Sequence, residues 1–123
     1  MERLEFRVEP AESFFERGKK LAALADAGKR IPSSRIVAFE DAEDLLSLLT
    51  PKRISLLKSV KETPSSITEL AKRLNRDRSA VTRDVHLLEK FEVVQVTERP
   101  LPGHGRQKWV ESVGQDIQLT ARF

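Results

Sequence analysis

Two apolar helical faces joined by a three-residue turn constrain this chain more than any other feature. Ser66-Ile67-Thr68-Glu69 fits a capping box, in which a serine oxygen serves one orphan N–H and the glutamate reaches back to another. Ile67, Leu70, Ala71 and Leu74 then recur at i, i+3, i+4, i+7, one face of a helix. Asn75-Arg76-Asp77 reads as a tight turn, because Asn tolerates the left-handed conformation and Asp can cap the next helix. That second helix is predicted from Arg78 to Lys90, with Val81, Val85 and Leu88 facing the core. At about 100° per residue the opposite face carries Ser79, Arg83, His86 and Lys90, with Thr82 at its edge. That face holds no large apolar residue, so nothing in its own chemistry drives it inward.

The flanks extend the pattern. Thr50 can cap a helix whose first position suits Pro51, with Ile54, Leu56, Leu57 and Val60 apolar and Thr63-Pro64-Ser65 ending it. Beyond the helix pair, Val93 to Thr97 reads as a strand. Arg99 to Arg106 is a turn-rich tip with two glycines, and Gln107 to Val113 is a return strand containing Trp109. Gly114 breaks it, and Ile117, Leu119, Ala121 and Phe123 alternate as a last strand. At the other end, Leu4, Phe6 and Val8 alternate as a short half-buried strand. Phe14, Phe15, Leu21, Ala22, Leu24 and Ala25 give an amphipathic helix that Gly28 can stop. Ile31-Pro32-Ser33-Ser34 reads as a connector and Ile36 to Phe39 as an extended piece. Asp41 to Leu49 reads as a helix whose first turn is acidic, so Glu40, Asp41, Glu43 and Asp44 read as helix-terminal charges rather than a cation site.

Charge is distributed unevenly. The chain is +3 overall, but residues 51–110 hold 13 Lys and Arg against 7 Asp and Glu, net +6, while residues 1–50 hold 8 against 10. Clustered positive charge matches a polyanion, because neutralising phosphates releases condensed counterions. A solvated helical face would give the same count, so the arrangement of the basic residues has to decide.

A helix pair of this kind presents its second helix to the DNA major groove, which is wide enough for one helix. The candidate DNA-binding residues are then Ser79, Thr82, Arg83 and His86, with Arg78 on the flank and Arg76 at the helix entry placed for phosphate. Arginine can pair bidentately with guanine, and serine or threonine can reach bases or phosphates. Arg99, His104, Arg106 and Lys108 would lie on or beside the glycine tip, a wing able to meet a groove or phosphate.

The segment SITELAKRLNRDRSAVTRDVHLLEKFEVVQV resembles the core of MarR- and ArsR-like winged-helix transcriptional regulators. FEDAEDLLSLLTPKRISLLKSV before it and the strand DIQLTARF after it extend the resemblance to a family of prokaryotic winged-helix regulators, over about residues 35–123. The resemblance implies double-stranded DNA as partner, a homodimer, and a possible antitoxin or autoregulatory role beside a toxin-like protein.

The expected fold is α+β: a winged helix-turn-helix domain with an N-terminal helical extension and a small antiparallel β-wing. Residues 1–50 would form the extension, for dimer or partner contact, and 51–123 the DNA-binding domain with its C-terminal strand. Phe14, Phe15 and Trp109 read as core or dimer packing. With no Cys, no Tyr, no phosphate-binding glycine loop and no paired-histidine motif, neither catalysis nor a cofactor is expected. His86 and His104 lack metal-ligand spacing, so no metal is expected. No apolar run suits a bilayer, the N-terminus does not read as a signal peptide, and the lack of cysteine suits a reducing cytoplasm.

Overall fold

The order of elements in the computed structural model begins with β1 (Arg3–Val8), α1 (Ala11–Asp26), β2 (Ser34–Phe39), α2 (Ala42–Leu48) and α3 (Pro51–Glu62). It continues with β3 (Ser65–Ser66), α4 (Ile67–Leu74), α5 (Arg78–Lys90), β4 (Val94–Leu101), β5 (Gly105–Ser112) and β6 (Asp116–Ala121). The structure describes residues 3–30, 34–114 and 116–121. Ile31 to Ser33 of the expected connector, and Phe123 of the expected last strand, lie outside the described residues. Among those residues no helix is long and apolar enough to cross a membrane.

The chain divides into two units. The second runs Leu48–Gln115, and the first is formed by the segments on either side of it. In the first, β1 is the middle strand of a parallel sheet ordered β2-β1-β6. Leu4 and Phe6 are fully buried, Val8 nearly so, and Glu5 is buried as well beneath the Nε–H that Arg7 donates to it at 2.8 Å.

This corrects the expected helical extension. The N-terminal segment is a β-α-β unit in which α1 is the crossover that parallel β1 and β2 need. It also relocates the last strand. β6, expected with residues 51–123, pairs with β1 in the register Leu4 to Ile117, Phe6 to Leu119 and Val8 to Ala121. Its apolar alternation is the one that matches β1. α1 ends at a left-handed Gly28, yet none of its residues is buried, and Phe14 and Phe15 are 50% and 63% exposed. These two rings meet edge-on at 5.8 Å, and they are not core.

The second unit packs α3, α4 and α5 around Leu56, Leu57, Val60, Leu70, Val81, Val85 and Leu88, with Val93 just before β4 and Val94 and Val110 from the strands. Thr50 caps α3 by accepting from the Arg53 N–H at 3.3 Å, and Ser66 caps α4 by accepting from Glu69 at 3.1 Å. Asn75 ends α4 in the left-handed region at φ 53°, ψ 50°. Asp77 stands at the N-cap of α5, but its side chain makes no cap hydrogen bond. The antiparallel sheet is ordered β3-β5-β4. β3 was not foreseen, since two residues carry no periodicity. The wing arms are longer than expected: β4 runs through Pro100 to Leu101 and the turn proper is Pro102-Gly103-His104. Pro100 fits because β4 is an edge strand.

Candidate nucleic-acid interface

Because α5 buries Val81, Asp84, Val85 and Leu88, its other side is fixed outward. Arg78, Ser79, Arg83, His86 and Lys90 are exposed, and Thr82 is half-buried. Arg83 makes no ion pair with any described residue, so its guanidinium fork is available to a bidentate acceptor. The Thr82 hydroxyl donates to the Arg78 carbonyl at 2.8 Å. That leaves Thr82 an acceptor and a methyl to offer, rather than a donor.

Arg76 departs from the sequence reading. Its side chain is only 16% exposed, and its Nη2 donates to Asp84 Oδ2 at 2.7 Å. The other Asp84 oxygen accepts from Arg53 Nε at 3.1 Å, and Arg53 Nη1 reaches the Leu48 carbonyl at 3.3 Å. Arg76 therefore serves the interior. Its Nη1 is buried without a hydrogen-bond partner among the described residues.

Three residues of this framework were missed in the sequence. Asp84 and Arg53 are two. The readable signal was a carboxylate inside the apolar arc of α5, about 60° from Val81, since a buried charge demands a cation. Arg73 is the third. It donates to Ser59 Oγ at 2.9 Å, to the Ser59 and Thr63 carbonyls at 3.2 Å each, and to Ser65 Oγ, clipping α4 to the end of α3 and to β3. Nothing local marks it.

Strand alternation divides the wing candidates between two faces. Arg106 and Lys108 share a face with Glu98, and Arg99 shares the other with Trp109 and Glu111. Arg99 lies over the Trp109 ring at 4.1 Å and pairs with Glu111 at 3.2 Å. Arg106 pairs with Glu98 at 3.2 Å, with both side chains more than half exposed. His104 occupies the exposed tip between two left-handed glycines, each at φ 79°, and its N–H donates to Leu101 at 2.9 Å. The structure thus groups Ser79, Arg83 and His86 on one helix face and Arg106 with Lys108 on one wing face. It sets Arg99 apart from that pair and turns Arg76 inward.

The site's chemistry is that of cations and small hydroxyls on a convex helix, suited to acceptor-rich edges and phosphates. No group of three or more His, Cys, Asp or Glu among the described residues is placed to hold a metal.

Comparison with known proteins identifies the same architecture. A family model, HVO_A0114, matches residues 48–119, more than half of the chain. A solved structure described as a possible transcriptional regulator from Methanosarcina mazei Go1 aligns with TM-score 0.51 and 23% identity, over 63% of this chain and 68% of that one. The transcriptional regulator BldR from Sulfolobus solfataricus aligns with TM-score 0.47 and 20% identity, over 88% and 71%. ZitR from Lactococcus lactis, solved in complex with DNA, aligns with TM-score 0.48 and 16% identity, over 88% and 68%. Curated protein sequences give no match. The likeness is one of fold: a helix pair joined by a short turn and followed by a β-hairpin, the winged helix-turn-helix arrangement that the resemblance implied.

Proposed function

This chain belongs to the HVO_A0114 family, and from that premise we propose that it is a sequence-specific double-stranded DNA-binding transcriptional regulator acting as a homodimer. The observation that carries the reading is the outward face of α5. Ser79, Arg83 and His86 are exposed there together, opposite a buried stripe that holds the helix in place. Arg78 at the helix start and Lys108 on the wing supply further exposed cations for phosphate. Binding over a promoter would act by occlusion.

The homodimer is supported by α1. Ala11, Phe14, Phe15, Gly18, Ala22 and Ala25 form one stripe with no charge in it, all exposed except the half-exposed Ala11. An antiparallel second copy crossing at Gly18 would set Phe14 against Ala22 and Phe15 against Leu21. A two-fold dimer would read an inverted repeat with half-sites about one helical turn apart.

The test is selection of bound duplexes from a random pool at two salt concentrations, with sedimentation of the free protein. Enrichment of an inverted repeat, affinity falling steeply with salt, and a dimer at micromolar concentration are expected. Binding without enrichment would replace the regulator with a non-specific DNA coater. A strict monomer would remove the symmetric reading and leave the α1 stripe to a different protein partner, as the antitoxin alternative requires.

A further inference from the structure

We propose that Asp84 is a positioning residue for the recognition helix, its carboxylate setting the roll of α5 and so the direction in which Ser79, Arg83 and His86 point. The inference rests on the DNA-binding reading above and goes beyond it by naming a residue that never touches the ligand.

Apolar burial holds α5 down but does not orient it finely. Val81, Val85 and Leu88 would stay covered through a modest rotation, because the hydrophobic effect has no direction. A carboxylate gripped by two guanidinium groups does have direction. Oδ1 faces Arg53 of α3 and Oδ2 faces Arg76 of the turn, at 3.1 and 2.7 Å. Arg53 is itself anchored by the Leu48 carbonyl. One side chain, 12% exposed, thus ties α5 to the start of α3 and to its own entry turn.

The consequence for recognition is geometric. A roll of about 20° at a side-chain radius of about 6 Å displaces a contacting atom by about 2 Å, enough to break a base-edge hydrogen bond. Phosphate contacts, which depend on charge more than on angle, would survive it. Retaining ions in the interior costs desolvation that apolar packing would avoid. A requirement for one exact roll accounts for the charged cluster here.

The experiment compares affinity for the duplex enriched by selection with affinity for a random duplex of equal length. Asp84→Asn removes the grip. Arg53→Lys keeps every charge but loses the guanidinium fork, and Arg53 is not on the outward face of α5. Circular dichroism reports folding, and exchange of the Arg53 Nε proton, read by NMR, reports the grip itself.

For folded Asp84→Asn the preference for the enriched duplex should fall at least tenfold, with random-duplex affinity within about threefold of the parent. Arg53→Lys should lose preference several-fold with an unchanged salt slope. It carries the test if Asp84→Asn fails to fold. The Arg53 proton should exchange slowly in the parent and fast in Asp84→Asn. Unchanged preference in a folded variant, or parallel losses on both duplexes, would overturn the positioning role. A parent protein with no duplex preference would overturn the regulator reading, and this inference with it, while slow exchange of the Arg53 proton would still report the grip.

Discussion

Arg76 donates to Asp84 across 2.7 Å, which turns the arginine at the entry of α5 into the protein instead of toward a ligand. Arg76→Ala should therefore lower stability and, by loosening the hold on Asp84, the preference for the enriched duplex, while leaving the phosphate contacts as they are. Removing one partner of a largely buried pair is costly, but Arg53 still compensates Asp84, so the loss should be about 1–3 kcal/mol. Thermal unfolding should show a midpoint several degrees lower. The salt slope of DNA binding should stay unchanged, and a slope reduced by about one would return Arg76 to the phosphate contacts.

Arg83→Ala should instead spare stability. The side chain is exposed and engages no described residue, so stability should change by less than about 0.5 kcal/mol. Affinity for the preferred duplex should fall by about 1–3 kcal/mol, with relaxed choice at one base position. Competition binding against single-base variants of the enriched duplex checks this.

What the sequence made legible is what local periodicity and capping determine. Ser66 caps α4, Asn75 closes it, and Val81, Val85 and Leu88 are all fully buried, as their spacing required. The outward position of Ser79, Arg83 and His86 comes from the same spacing. What stayed hidden depends on partners distant in the chain. β1 pairs with β2 and with β6, and parallel pairing leaves no turn between partners to announce it. The wing residues could be placed near a tip, but their division between two faces needed the register of β4 on β5. Arg76 looked free because its partner lies a helix turn and more away, inside the apolar arc.

Asn75 should tolerate Gly and resist Ala. It closes α4 in the left-handed region, with its N–H on Lys72 and the Arg76 N–H on Ala71 at 3.1 and 3.0 Å. A Cβ without a polar group to stabilise that conformation costs about 1 kcal/mol or more, whereas Gly adopts it freely. Urea unfolding should place Asn75→Ala about 1 kcal/mol below the parent and Asn75→Gly within a few tenths of it.

The first unit should lose stability in acid through Glu9. The close ion pair with Arg17 holds its carboxyl below the ordinary value of 4.5, and the charge of Arg7 adds to this against the opposing effect of burial. A carboxylate depressed in the folded state contributes stability above its unfolded pKa and loses it as pH falls through the folded one. Glu9→Gln should therefore differ most from the parent near neutral pH. The two melting curves should converge as pH drops below about 4.5, the ordinary carboxyl value. A gap that persists to low pH would assign the loss to packing instead.

The wing should separate its cations by how firmly each is already held. Arg99 sits between the Trp109 ring and Glu111, so a phosphate would have to compete with both. The Arg106 pair with Glu98 is more than half exposed on both sides, and such pairs contribute little and yield readily. Lys108 is exposed on the same face as Arg106. In plots of log affinity against log salt on a random duplex, Lys108→Ala and Arg106→Ala should each flatten the slope by about one. Arg99→Ala should change it by clearly less, while exposing Trp109. Glu98→Gln should steepen or preserve the slope, because it releases Arg106 and removes a repelling charge. Equal effects from all three cations would mean that the wing binds through its charge alone, and that its two faces do not differ.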